Sequence, residues 1–232
     1  MSLQTRCTYH LKFFLDNSSE ELKDKYKDAI ARHNSMVETS NHPDSGFDLY
    51  TPLPEVEKLN EGIRKIHDDV LRQGTHYRAL CDGRPIESRV NANNEPVHNP
   101  ENPPMTYKGN MKVKTAMYKI SDDGQGGTMM TPVGFYLYPR SSISNTSVRL
   151  ANNVGIIDSG YRGCVAGMFD VVSRITTDGY VEGSFLRLQP YHRLLQICSP
   201  TLEPFTVEMV FAESELGTTN RGSGGFGSTG SN

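Results

Sequence analysis

The chain has 232 residues, 36% of them apolar, and a formal net charge of −3. That length fits one domain with an insertion, and a mean hydropathy of −0.52 excludes a membrane-embedded chain. The small net charge also excludes a broad electrostatic surface for nucleic acid or membrane, so any anionic ligand has to be met by local arginines. The four cysteines, Cys7, Cys81, Cys164 and Cys198, are far apart and lack metal-ligand spacing. They read as free thiols of a reducing, intracellular compartment, the cytoplasm or nucleus. Residues 1–15 are too mixed for a signal peptide, and no apolar run reaches membrane length.

Residues 6–15 read as a strand. A capping box from Ser18 to Glu21 then opens a helical segment, 18–37, with Leu22, Tyr26, Ala29, Ile30 and His33 at helical spacing. Residues 54–72 form a second predicted helix: Pro54 suits its first turn, and Val56, Leu59, Ile63, Ile66 and Val70 make one apolar stripe. Residues 82–110 hold five prolines and read as a long irregular loop. From 111 the period changes to short β runs: 111–120, 128–138, 148–157, 161–175, 180–189, 193–198 and 203–211. Turn signals such as Asp122-Asp123-Gly124 and Thr177-Asp178-Gly179 separate them. Such spacing indicates an all-β barrel or sandwich.

Five stretches hold residues suited to chemistry. Asp48 follows a Gly turn in Asp44-Ser45-Gly46-Phe47-Asp48-Leu49, where a lone Asp also serves as a turn former. Pro139-Arg140-Ser141-Ser142 stops a strand and offers an arginine and two hydroxyls at a turn, suited to an anion or to simple capping. Residues 152–163 read as a hairpin with Asp158-Ser159-Gly160 at its tip. Its backbone edge could meet a base, its carboxylate a water, and Tyr161 a sugar; it is equally a well-formed turn with a core Tyr. Arg193-Leu194-Leu195-Gln196 sets two polar side chains on a short strand, and these need partners if buried. In the tail, Arg221-Gly222-Ser223-Gly224-Gly225-Phe226-Gly227-Ser228-Thr229-Gly230, converging glycine amides, an arginine and a stackable ring suit a nucleotide. By composition alone the tail is also a solvated linker.

In this order the five stretches resemble the motifs of the trimeric dUTPase (deoxyuridine 5'-triphosphate nucleotidohydrolase) family. Gly155 to Gly163 matches its Gly-x-Ile-Asp-x-x-Tyr-Arg-Gly motif in full, as Arg221–Gly230 matches its glycine-rich tail. Ser45–Leu49, Pro139–Ser142 and Arg193–Gln196 match the other three. The chain departs from the family where Ser45 replaces Ala, where Tyr191-His192 replaces Gly-Asp, and in the long interval between Asp48 and Pro139.

The resemblance implies a mainly β fold, a dUTPase-like jelly-roll β-barrel over 1–52 and 111–215. The helical segment 18–37 is an addition to it, 53–110 an insertion, and 216–232 a flexible C-terminal lid. It implies hydrolysis of dUTP to dUMP and pyrophosphate, which limits uracil incorporation into DNA and supplies dUMP. Asp158 would orient the attacking water. Arg140, Ser141, Ser142 and Gln196 would hold phosphates. Asn152, Gly155, Ile156 and Ile157 would read uracil, and Tyr161 would pack on deoxyribose. Phe226 would stack on the base, while Arg221, Gly227, Ser228 and Thr229 close over the outer phosphates. Mg²⁺ would ride on the phosphates and meet Asp48 through water. The family's sites are shared within a homotrimer, with the tail closing over a neighbouring subunit; no membrane or direct nucleic-acid contact is expected. The alternatives are a dCTP deaminase, disfavoured because no Glu follows the hairpin before Glu182, and a dUTPase-fold regulatory protein whose insertion 53–110 binds a protein partner.

Overall fold

The computed structural model describes residues 7–73, 89–90, 96–97, 106–171 and 187–224. The strands are β1 (Tyr9–Leu15), β2 (Gly46–Tyr50), β3 (Arg89–Val90), β4 (Pro96–Val97), β5 (Thr106–Asp122), β6 (Thr128–Val133), β7 (Phe135–Pro139), β8 (Val148–Leu150), β9 (Gly155–Ile157), β10 (Cys164–Val171), β11 (Arg193–Cys198) and β12 (Phe205–Met209). The helices are α1 (Glu20–Thr39) and α2 (Leu53–Gln73). One sheet runs β12-β1-β5-β10-β8 with β6 beside β5, a second runs β2-β11-β7-β9, and β3 pairs with β4. The fold is therefore mainly β, as expected.

Alternation builds the core. In β1, Tyr9, Leu11, Phe13 and Leu15 are buried while the residues between them are partly exposed. They join Phe47 and Leu49 of β2, Leu137 of β7 and Leu195 and Ile197 of β11 in one cluster, so both sheets share a core. Val56, Leu59 and Ile63 of α2 belong to the same cluster. The side chains of Ile66 and Val70, the other two residues of the expected stripe, lie outside the described residues.

Several boundaries differ from expectation. The cap of α1 is Ser19, not Ser18: its extended backbone (φ −67°, ψ 153°) lets the hydroxyl accept from the Leu22 amide at 3.3 Å. The irregular stretch ends at Thr106, where β5 begins; residues 74–88, 91–95 and 98–105 lie outside the described residues, as does 172–186 with most of the expected 180–189 strand. The run 128–138 is two strands broken at Gly134, where a Cβ would stand 3.0 Å from the Ile157 carbonyl. The run 148–157 is also two strands. Asn153, left-handed at φ 59°, turns the chain from β8 in one sheet to β9 in the other. The expected hairpin at 152–163 is accordingly a crossing: β9 pairs with β7, and β10 with β5 and β8. The link 158–163 is too long for a tight two-residue turn and is tied elsewhere, as shown below.

Cys7, Cys164 and Cys198 are free thiols, as expected; Cys81 lies outside the described residues. Among the described residues, no helix is long and apolar enough to cross a membrane.

Candidate active site

β9 lies at the end of its sheet. One edge is satisfied by β7, in the register Phe135–Ile157, Tyr136–Ile156 and Leu137–Gly155. Its other edge keeps backbone donors and acceptors available to a planar ligand that pairs as a strand would. Gly155 is buried and would place a Cβ 3.1 Å from Leu137, whereas the Ile156 side chain is 70% exposed. A pocket of about 210 Å³ opens here, lined by Asn152, Gly155, Ile156, Ile157, Asp158, Tyr161 and Arg221 among others. The sequence-predicted base, sugar and water residues thus surround one space.

The turn after β9 is built for this. The Tyr161 amide donates to the Asp158 carbonyl at 3.0 Å, closing a turn that leaves the carboxylate outward. The Tyr161 hydroxyl donates to the Cys164 carbonyl at 2.9 Å. Burial raises its pKa, so it stays a neutral phenol. Gly163 is required by that ring, because a Cβ would stand 2.5 Å from the hydroxyl.

Arg162, buried in the same turn, joins it to the C-terminal segment. Its Nη1 donates to the Ser159 and Tyr161 carbonyls at 2.9 and 2.8 Å, and its Nε to the Leu216 and Gly217 carbonyls at 2.9 and 3.1 Å. Its amide donates to the Gly222 carbonyl at 2.7 Å. The Thr219 hydroxyl donates to the Gly160 carbonyl at 2.5 Å and accepts from the Gly222 amide at 3.1 Å. Leu216 is fully buried beside Ala116 and Val210 and anchors the segment. Arg221, expected on the outer phosphates, pairs here with Asp158 at 2.5 Å. Over 216–224 the segment lies against its own chain, held by these local bonds. Phe226, Gly227, Ser228 and Thr229 lie outside the described residues.

A second cluster stands at the other end of β7. Arg140 leaves that strand, and its Nε meets Asp48 Oδ1 at 2.6 Å, while Arg193 Nη1 meets Oδ2 at 3.0 Å. Arg140 Nη1 donates to the Ser142 hydroxyl at 3.2 Å, and Ser141 is exposed beside it. Gln196 pairs with Asp48 in β2 and with Tyr138 in β7, and its amide donates to the Pro139 carbonyl at 3.3 Å. Gly46 must lack a side chain because a Cβ would collide with the Gln196 carboxamide. Burial raises the Asp48 pKa and outweighs the lowering by Arg140 and Arg193. Two arginines, a serine pair and an amide make a cradle for a polyanion.

Among the described residues, the structure brings the predicted ones into two groups. Asp158 follows Ile157, the partner of Phe135, and the cradle adjoins Pro139. At about 3.3 Å per residue, β7 holds them about 13 Å apart along the strand. Sequence reasoning gave Arg193 no role of its own and passed over Arg162. The first was visible as the polar start of an otherwise apolar strand; the second stands in the matched Gly155–Gly163 motif, but its role was hidden because two of its partners, Leu216 and Gly217, lie more than fifty residues away.

No family model matches the chain. Curated relatives do. A protein of Escherichia phage T5 is 32% identical over 109 residues, 46% of this chain and 66% of its own length. One of Polynucleobacter necessarius is 32% identical over 117 residues, 45% of this chain and 70% of its own. One of Paraburkholderia phymatum is 32% identical over 117 residues, 45% and 71%. All three carry the name deoxyuridine 5'-triphosphate nucleotidohydrolase. The chain belongs to this family. A solved dUTPase of Staphylococcus bacteriophage 80alpha, a mutant with dUpNHpp, aligns with 56% of this chain and 78% of its own at 19% identity and a TM-score of 0.25. Membership of the dUTPase family stands on the sequence relatives. The matched segment leaves more than half of this chain uncovered.

Proposed function

We infer that the protein is a dUTP diphosphatase, hydrolysing dUTP to dUMP and pyrophosphate. Beyond family membership, one observation carries the reading: Asn152, the free edge of β9, Asp158 and Tyr161 line a single pocket. Uracil pairs with the β9 edge around Gly155–Ile157 and with the Asn152 side chain, and Tyr161 packs on deoxyribose where a 2'-hydroxyl would sit. Asp158 orients a water and accepts its proton as the water oxygen bonds to the α-phosphorus. The bond from that phosphorus to the bridging oxygen breaks, and pyrophosphate leaves with the electron pair. Arg221 neutralises Asp158 before substrate arrives and is drawn to the phosphates when it does. The deaminase alternative is not favoured, since the relatives carry the name deoxyuridine 5'-triphosphate nucleotidohydrolase.

Arg140, Ser141, Ser142 and Gln196 hold the phosphates. Both Asp48 oxygens are engaged by arginines, and among the described residues no three His, Cys, Asp or Glu side chains cluster for a metal. Mg²⁺ bound to the triphosphate would meet Asp48 through water and would supply charge neutralisation. Phe226, Gly227, Ser228 and Thr229 complete the closure over base and phosphates.

The separation along β7 supports a site shared between copies in a homotrimer, with the pocket from one subunit and the cradle from another. The first test is pyrophosphate release from dUTP against dTTP, dCTP and UTP; equal rates on all four, or none, refute the reading. The second mixes Asp158→Asn and Arg140→Ala subunits. Activity above both parents supports shared sites, and no recovery after exchange refutes them. A protein partner for 53–110 is tested by deleting 74–105: intact turnover assigns that stretch to a role outside catalysis.

A further inference from the structure

α1 has no counterpart among the motifs, yet it contacts β2 and the turn leading into β11, which carry Asp48 and Arg193 of the phosphate cradle. The Tyr26 hydroxyl accepts from the Tyr50 amide at 2.9 Å, and the two rings pack edge to face with centroids 5.1 Å apart. Tyr50 ends β2 two residues after Asp48 and is the register partner of Arg193. One turn earlier on α1, Glu21 accepts from the Tyr191 hydroxyl at 2.9 Å. Lys25 stands 4.9 Å over the Tyr191 ring and 3.5 Å from Glu21. Tyr191 precedes Arg193 by two residues.

The Tyr191 backbone is left-handed, at φ 60°. A bulky residue rarely adopts this region, and it persists where surrounding contacts fix it. The next residue is fixed too: the His192 amide donates to the Gln189 carbonyl at 3.1 Å, and its carbonyl accepts from the Thr51 amide at 3.1 Å. The turn into β11 is therefore held on one side by β2 and on the other by α1. Arg193 leaves this turn, and its guanidinium meets Asp48.

We propose that α1 is part of the catalytic apparatus as a clamp on the phosphate cradle, and that Tyr191 is a positioning residue that sets Arg193 through Glu21 and Lys25. This rests on the dUTPase reading but predicts an effect confined to the phosphate end. The nucleoside pocket lies along β9, from Asp158 to Gly155 beside Leu137, and has no contact with this clasp among the hydrogen bonds described above.

The test compares Tyr191→Gly, whose backbone accepts φ 60° without strain, with the double variant Glu21→Gln/Lys25→Met, which alters the helix surface alone. Binding of inorganic triphosphate is measured by calorimetry, together with KM for dUTP and the affinity for deoxyuridine. Both variants are expected to weaken triphosphate and raise KM for dUTP about tenfold, one tenfold step being about 1.4 kcal/mol. Deoxyuridine affinity is expected to change less than twofold. A purely structural tyrosine predicts unchanged triphosphate affinity in Tyr191→Gly with an equal or higher melting temperature, and that result overturns the proposal. If Tyr191→Gly does not fold, wild-type triphosphate affinity in the double variant overturns it equally. Absence of dUTP turnover in the wild type would count against the function reading alone, since triphosphate binding still reads the clamp.

Discussion

Replacing Arg162 by Met severs the link between the Asp158 turn and the C-terminal segment. The Leu216 carbonyl keeps a donor, because the Tyr118 hydroxyl also reaches it at 3.0 Å. The Gly217, Ser159 and Tyr161 carbonyls each lose a charge-assisted bond and are only partly buried. Water can reach such groups, so each loss is about 1 kcal/mol and not the full cost of a buried unsatisfied carbonyl. Only the Gly217 bond crosses to the tail, since the Ser159 and Tyr161 bonds lie within the turn itself, so docking of 217–224 weakens by about 1 kcal/mol, about fivefold. Leu216 stays in its apolar socket, so the segment loosens beyond it without the β core opening. Amide exchange reads this directly, since protection reports the opening equilibrium. The backbone amide at position 162, bonded to the Gly222 carbonyl, and the Gly222 amide are expected to lose about fivefold in protection while β1 and β5 amides change little. Turnover of dUTP should fall with them, because Arg221 is less often delivered to the pocket. Wild-type protection at Gly222 in the variant would refute the idea that Arg162 holds the tail.

Three further outcomes are expected. Asp158→Asn should lower dUTP turnover roughly a thousandfold, within the range for a lost general base, while a non-hydrolysable analogue binds nearly as before; strong residual turnover would remove Asp158 from the chemistry. Its stability should barely change, since both members of the Asp158–Arg221 pair are at least 38% exposed. Gly163→Ala should displace the Tyr161 ring and narrow the preference for dUTP over UTP; unchanged selectivity would show that the ring does not exclude the 2'-hydroxyl. His33 is buried with Nε2 donating to the Phe205 carbonyl at 2.9 Å, and burial lowers its pKa. As pH falls below about 6.5 the unfolded chain takes up the proton first, so stability present above that pH is lost as pH falls through the folded value, at up to about 1.4 kcal/mol per pH unit. Melting of wild type and His33→Gln between pH 7.5 and 5.5 checks this: the variant should lose less on acidification, and parallel curves would refute it.

What could be read in the sequence follows the range of the interactions involved. The Gly155–Gly163 and Pro139–Ser142 stretches were legible because glycine, proline and polar side chains at fixed offsets dictate local backbone, and local backbone forms the pocket wall and the cradle turn. β1 and α2 were legible because burial on one face imposes a period of two or of 3.6 residues. The errors arose where a distant partner overrides the local signal. The stretch 152–163 has the composition of a hairpin, but Arg162 ties it to Leu216 and Gly217, and its flanking strands join different sheets.

The same logic explains why α1 looked like an addition. Its visible pattern, Leu22, Tyr26 and His33 on one face, describes only a helix packed on a core. The functional content lies in which backbone groups those side chains reach: Tyr26 holds Tyr50, His33 holds Phe205, and Asn34 exchanges two hydrogen bonds with Val207, at 2.8 and 2.9 Å. β12 lies at the edge of its sheet, and Asn34 supplies the pairing a further strand would give it, blunting an exposed edge. One helix thus closes the edge of one sheet while bracing the cradle strands of the other. A sequence inserted for either purpose alone would not need Asn34 and Tyr26 on the same helix, with Glu21 a turn before them. Deleting α1 should therefore damage folding and phosphate binding together, whereas Glu21→Gln/Lys25→Met separates the two.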